Sequence, residues 1–207
     1  MHKFLIPFFL LIVISVSGQT YTKIGNPATC KSKINEKTKA TKAIEANFSE
    51  TVFSSMFNTP KKASGELTYK KADKIRWEHT SPKKQIILIN GSSARFQENG
   101  KEVTNPTANR VVKKIQGLMT QMFSGDFLNE KEFSITYFES SKHYKLVLKP
   151  KSSRMSKYIS TIELLFSKTT LLLDEMTMIE TEEDKINYAF SQIKTNTTIS
   201  DTKFTKF

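Results

Sequence analysis

Hydrophobic residues in this 207-residue chain change their spacing several times, and each change predicts a new element. The first run, Phe4 to Val16, is almost continuously apolar, follows Lys3 and leads into Ser17 and Gly18. At about a dozen residues it falls short of the roughly 20 that a spanning helix needs. Residues 1–18 therefore read as a secretory signal peptide cleaved after Gly18. Residues 19–29 are polar and rich in turn formers, a linker. From Cys30 to Ala46, the spacing of Ile34, Thr38, Thr41 and Ile44 among Lys, Glu and Ala predicts an amphipathic helix of modest apolarity. The period then shortens: Phe48, Val52, Phe53 and Phe57 stand among β-branched residues in a segment closed by Asn58-Thr59-Pro60.

From Gly65 onward the pattern predicts short strands. Leu67 and Tyr69 alternate with Glu66 and Thr68, and Ile75 and Trp77 with Lys74, Arg76 and Glu78, the period of two of a half-buried strand. Ile86 to Ile89 is continuous and predicts a more buried strand; Asn90-Gly91 and Asn99-Gly100 supply left-handed dihedrals for tight hairpins. The alternation breaks once: after Asn105-Pro106-Thr107, the residues Val111, Ile115, Leu118, Met119, Met122 and Phe123 share one face of a helix predicted over 107–124. Strands resume at Phe133–Phe138, Tyr144–Lys149, Thr161–Ser167, Leu171–Ile179 and Lys185–Ile193. An antiparallel sheet of about nine to eleven strands with two main helices either closes into a barrel or curls around a helical plug. The helix at 107–124 is the natural cover, because its apolar face has no other place to go.

Removing the leader leaves 189 residues, the size of one ordinary domain, placed at 30–207. Cys30 is the sole cysteine, so no internal disulfide forms; it is read as packed or free. The formal charge of +12 invites anionic partners. The lysines, however, fall in scattered pairs, Lys61-Lys62, Lys70-Lys71, Lys83-Lys84 and Lys113-Lys114, and no nucleic-acid-binding motif accompanies them. They are read as a solvated face, with no nucleic acid as partner.

Candidate chemistry is sparse. His79 and His143 stand apart from each other and from Cys30, so no metal set is spaced for binding, and a lone histidine in a turn reads as exposed and inert. There is no nucleophile elbow, phosphate loop or zinc-protease motif; Glu163 and Asp174 form at most a notional carboxylate pair. The expectation is a protein that is not an enzyme and uses no cofactor or metal. Instead the chain carries 15 Phe, 6 Tyr and 7 Met. Most of this bulk fits a packed core. A sharper reading notes Met119, Met122 and Phe123 together on the covering helix and Met176 and Met178 alternating on a late strand, adaptable side chains suited to varied apolar guests.

Taken in order, "ANFSETVFSSM", "ASGELTYKKADKIRWEHTSP", "QIILINGSSARFQENG", "YKLVLKP", "STIELLFSKTTLLLDEMTM", "INYAFSQIKTN" and "ISDTKF" resemble the periplasmic outer-membrane lipoprotein carrier family, LolA-like proteins, over nearly the whole mature chain. The resemblance implies a mainly β fold with helices: an unclosed, half antiparallel β-barrel whose concave apolar face is covered by a helical lid. It also implies a monomeric periplasmic chaperone that takes acylated lipoproteins from an inner-membrane lipoprotein-releasing ABC transporter to an outer-membrane acceptor. The cavity residues it suggests are Phe48, Val52, Leu67, Tyr69, Ile75, Trp77, Ile87, Ile89, Phe96, Leu118, Met119, Met122, Phe123, Leu146, Leu148, Leu164, Phe166, Met176, Met178 and Phe190. Where members near the best-studied type hold an arginine that bonds to the lid, this chain has Lys71, which keeps the charge and loses the planar fork. The turn Lys71-Ala72-Asp73 also lacks the family's proline, while Asp201 and Phe204 match its ending. Three alternatives remain open: a carrier or sensor of another lipid, such as a glycolipid or pigment lipid, on the same fold; a lipid hydrolase; and a β domain with a filled core.

Overall fold

The computed structural model describes residues 20–104 and 126–207. Its strands are β1 (Thr22–Lys23), β2 (Ala43–Phe53), β3 (Lys61–Lys70), β4 (Lys74–Ser81), β5 (Gln85–Asn90), β6 (Ser93–Glu98), β7 (Lys101–Glu102), β8 (Phe133–Glu139), β9 (His143–Pro150), β10 (Thr161–Ser167), β11 (Leu173–Ile179) and β12 (Lys185–Thr195). The longest helix among the described residues, α1, spans Ala28–Ala40, and a single helical turn covers Ser153–Ser156. The predicted helix at 107–124 and the leader lie outside the described residues.

The twelve strands of the described residues join one antiparallel sheet in the order β1-β8-β9-β10-β11-β12-β2-β3-β4-β5-β6-β7. Two meanders, β2 to β7 and β8 to β12, are sewn together where β12 pairs with β2. The two-residue strands β1 and β7 stand at opposite edges, so the sheet is mainly β, unclosed and antiparallel, as expected. Its twelve strands exceed the nine to eleven expected because β1 and β7 are too short to show a period.

Register aligns apolar side chains into rows on one face. One row runs Val52, Ile186, Met178, Ile162, Leu148 and Ile135 across six strands; the next runs Tyr188, Met176, Leu164, Leu146 and Tyr137. On the other side of β2 the same face continues through Leu67, Trp77, Ile87 and Phe96. Most of these residues belong to one core cluster. The opposite face carries Lys70, Lys74, Arg76 and Arg95, together with Ile86 and Leu88, and there the C-terminal segment packs. Lys70 Nζ donates to the Ile199 carbonyl at 2.9 Å, and both Lys70 and Lys74 reach the Asp201 carboxylate at 2.6 and 2.8 Å. Arg76 donates to the Lys206 carbonyl at 2.8 Å and Arg95 to that of Thr205 at 2.9 Å. Phe204 forms a second small core with Ala43 and Ile199.

The helix expected over Cys30 to Ala46 is shorter. Thr41 is already extended at φ −83°, ψ 112°, and its hydroxyl donates to the Lys37 carbonyl at 2.8 Å. Ile44 fits both periods, and pairing with β3 and β12 decides for the strand: Ile44, Ala46 and Phe48 line one face. Leu171 has φ +57° and lies in the turn before β11, so that strand opens at Leu173 and not at the expected Leu171. Of the two predicted hairpins, Asn99-Gly100 has positive φ at both residues, whereas Asn90 stays in β5 opposite Ser93 and Gly91 alone turns left-handed.

Candidate functional site

Among the described residues, the two ends of the concave face differ. At one end α1 lays Cys30 and Ile34 onto the core, and Phe127, in a 3-10 turn at Asp126–Leu128, stacks on Phe166 with ring centres 5.6 Å apart. At the other end the strands β2, β11 and β12 run out into a cavity of about 650 Å³. Val52, Met178, Ile186 and Tyr188 form its sheet wall; Ser54 to Phe57, from the β2–β3 connection, and Tyr158 and Ile159, from the β9–β10 connection, form its rim. Two large hydrophobic side chains stand out into solvent among the described residues, Met56 at 82% and Tyr158 at 54% exposure, and both sit on this rim.

One carboxylate holds the rim together. Asp184 accepts from the hydroxyls of Ser54 at 2.7 Å and Thr181 at 2.9 Å and from the Ser55 amide at 3.0 Å, tying the β2–β3 connection to the β11–β12 turn. These bonds, that from Ser54 foremost, keep its carboxyl below the ordinary aspartate range. Lys61 Nζ lies 3.5 Å from the centre of the Phe57 ring and holds it at the mouth.

Farther in, Phe48 and Trp77 stack with ring centres 4.2 Å apart, and Tyr188 meets Trp77 edge-on at 5.2 Å. Beside them His79 Nε2 lies 2.9 Å from Glu50, and Glu50 also engages the Tyr188 hydroxyl. Burial, aided by this carboxylate, pushes the Tyr188 phenol up from its ordinary value. Tyr137 has no such arrangement. Its hydroxyl is the one buried side-chain polar atom among the described residues without a hydrogen-bond partner, and burial pushes its pKa up to about 12. An unsatisfied buried group of this kind costs about 1–3 kcal/mol.

The cavity residues suggested by sequence divide into three groups. Only Val52 and Met178 line the open cavity. Phe48, Leu67, Tyr69, Ile75, Trp77, Ile87, Ile89, Leu146, Leu148, Leu164, Phe166 and Met176 are buried in the packed concave core, and Phe96 and Phe190 lie half-buried against it. Leu118, Met119, Met122 and Phe123 lie outside the described residues. Lys71 is exposed, with its Nζ 3.3 Å from the Lys39 carbonyl at the end of α1. The sequence reading missed the rim residues Met56, Tyr158 and Ile159, which sit in connections with no periodicity; Phe53 and Phe57 were visible only as strand hydrophobics.

Two polar readings also change. His143 is not a free turn residue: it is half-buried at the start of β9, with Nε2 3.1 Å from Asp174. Glu163 pairs with Lys145 at 2.9 Å, so Glu163 and Asp174 have separate partners and form no carboxylate pair. Among the described residues no group of three or more His, Cys, Asp or Glu side chains is placed to hold a metal ion, and no helix is long and apolar enough to cross a membrane.

A family model described as "Outer membrane lipoprotein carrier protein LolA" matches residues 39–206, which includes every strand from β2 to β12. The chain belongs to the LolA family. It is 27% identical to an outer-membrane lipoprotein carrier protein of Nitrosomonas europaea over 171 residues, covering 81% of each chain. It is also 27% identical to one of Coxiella burnetii over 164 residues, 79% of this chain and 75% of that one. A third, from Francisella tularensis, is 24% identical over 215 residues and covers 99% and 92%. The crystal structure of MucB shares the fold, with a TM-score of 0.52 at 12% identity over 87% of this chain, which spans 63% of MucB's length. The family model that matches this chain is named for a carrier of outer-membrane lipoproteins.

Proposed function

We propose that this protein is a periplasmic carrier that shields the acyl chains of lipoproteins against its concave face and ferries them from the inner membrane to the outer membrane. The observation that carries this reading is the apolar cavity of about 650 Å³ opening between β2, β11 and β12, rimmed by Met56 and Tyr158, in a chain of the LolA family. Its volume lies within the range of roughly 300–1,000 Å³ usual for small-ligand sites. Each methylene taken out of water is worth roughly 0.8 kcal/mol, so one acyl chain left in water costs on the order of 10 kcal/mol. A cavity whose sheet wall is Val52, Met178, Ile186 and Tyr188 covers that surface through non-directional apolar contact, without locking the guest in place. An inner-membrane ABC transporter would load it and an outer-membrane acceptor would empty it.

The test is photo-crosslinking from position 178, on the cavity wall, in the mature protein in its native cell, followed by mass spectrometry of the adducts. Acylated lipoproteins on that residue support the proposal and name its clients. A free lipid or glycolipid would keep the cavity and replace the cargo. A protein without adducts would refute the carrier reading.

A further inference from the structure

The unpartnered Tyr137 hydroxyl is placed where a lipid's polar junction would come to rest. Tyr137 stands on β8, beyond which the sheet has only the two-residue β1 before its open edge. Its backbone is fully engaged, paired with Leu146 and accepting from the Ile24 amide at 2.9 Å, so the residue is fixed while its hydroxyl is left over. From Tyr137 an apolar row runs inward through Leu146, Leu164 and Met176 to Tyr188, which lines the open cavity. At the spacing of neighbouring strands the row is about 19 Å long. Its two ends differ: the Tyr188 hydroxyl engages Glu50, and the Tyr137 hydroxyl engages nothing.

Among the described residues, Cys30 and Ile34 of α1 and Phe127 and Leu128 share one packed core with Tyr137. Cys30 and Ile34 are the buried residues of α1, and the Lys31–Glu130 pair at 2.6 Å, which ties the helix to the segment before β8, is solvent-exposed. Exposed pairs of this kind hold weakly. A guest that displaced α1 would meet a hydroxyl with a free proton to donate, at the edge of the sheet, with apolar floor leading away from it. An acyl ester has the matching arrangement: a carbonyl acceptor joined on one side to a hydrocarbon chain and on the other to a polar glycerol.

We propose that Tyr137 is the ester-reading residue of the site, its hydroxyl donating to the carbonyl oxygen of an O-acyl chain whose hydrocarbon lies along the row toward Tyr188. This rests on the carrier reading above and adds that the cargo is recognised at its ester as well as by its hydrocarbon. The full-length mature chain and its Tyr137→Phe variant are to be titrated with dimyristoylglycerol and with the dialkylglycerol of equal chain length, in which ether oxygens replace the ester carbonyls. The wild type is expected to prefer the ester roughly fivefold, the worth of one neutral hydrogen bond. The variant is expected to bind the two alike and to melt no lower than the wild type, because the lost hydroxyl had no partner in the free protein. Equal binding of ester and ether by the wild type, or an ester preference that survives in the variant, overturns the inference. A fall in the variant's melting temperature does so too, since the hydroxyl would then be satisfied without cargo. Failure of the wild type to bind either lipid is a separate result, which refutes the carrier reading itself.

Discussion

At Gly65 a missing side chain shapes the concave face. A Cβ there would collide with the Glu78 carbonyl oxygen and stand 2.6 Å from Phe48 Cζ, so only glycine lets Phe48 lie across β3 and stack on Trp77. The Trp77 ring is buried against Phe48, Tyr188 and Phe190. Trp77→Ala is expected to destabilise the fold by about 3–5 kcal/mol, measured by urea unfolding. Cys30 illustrates the reverse relation between burial and chemistry. Burial pushes its thiol up to about 11, so at neutral pH it is a protonated, shielded apolar group. Iodoacetamide is expected to leave it unmodified in the native protein and to alkylate it after unfolding; rapid native alkylation would show that α1 does not stay docked. The inward positions Leu67, Tyr69, Ile75 and Trp77 were legible from alternation alone, because a strand has two faces and charged neighbours mark the outer one. The Tyr137 hydroxyl was not legible, since only surroundings distinguish a satisfied tyrosine from an orphaned one.

Among the elements, the β11–β12 turn and the β2–β3 connection are coupled through Asp184, which bonds to Ser54, Ser55 and Thr181 at the rim of the cavity. Asp184→Ala is expected to leave the sheet intact and to loosen the rim. A fluorescent fatty acid should dissociate severalfold faster from the variant in stopped-flow displacement, with a small fall in melting temperature. Equal dissociation rates would mean that cargo leaves by another route. These connections show no hydrophobic period, which is why the strands of the site could be drawn from sequence and its mouth could not. The boundary between α1 and β2 went wrong for a related reason: Ile34, Thr38, Thr41 and Ile44 satisfy helical spacing, but backbone pairing of Ile44 with Tyr69 and Thr195 wins over propensity.

Across the whole molecule, the C-terminal segment fastens the outer face. Asp201 sits between Lys70 and Lys74, whose hydrogen bonds hold its carboxyl down to about 2. A carboxyl lowered in the folded state contributes stability that is complete above the ordinary aspartate value near 3.8 and is lost as pH falls toward about 2. Asp201→Asn should flatten the acid limb of the stability curve in that interval while leaving the slope at neutral pH unchanged. Deletion of residues 199–207 removes Phe204 and the carbonyls to which Arg76 and Arg95 donate, and is expected to expose Ile86 and Leu88, detected as increased binding of a hydrophobic dye at unchanged strand content.

The succession of strands along the chain, the alternation of Leu67, Tyr69, Ile75 and Trp77 with polar neighbours, and the scarcity of motifs for catalysis were legible in the sequence itself, since a period of two and the presence or absence of residue types are local properties. Tertiary structure alone decided that β12, paired with β11 on one side, takes β2 on the other, that most of the predicted cavity residues pack as core while the open volume lies at the strand ends, and that His79, His143 and Asp201 have partners far along the chain. Each of these joins residues widely separated in sequence. Long-range pairing in a sheet depends on the energy of the whole face, and no short window of the chain contains it.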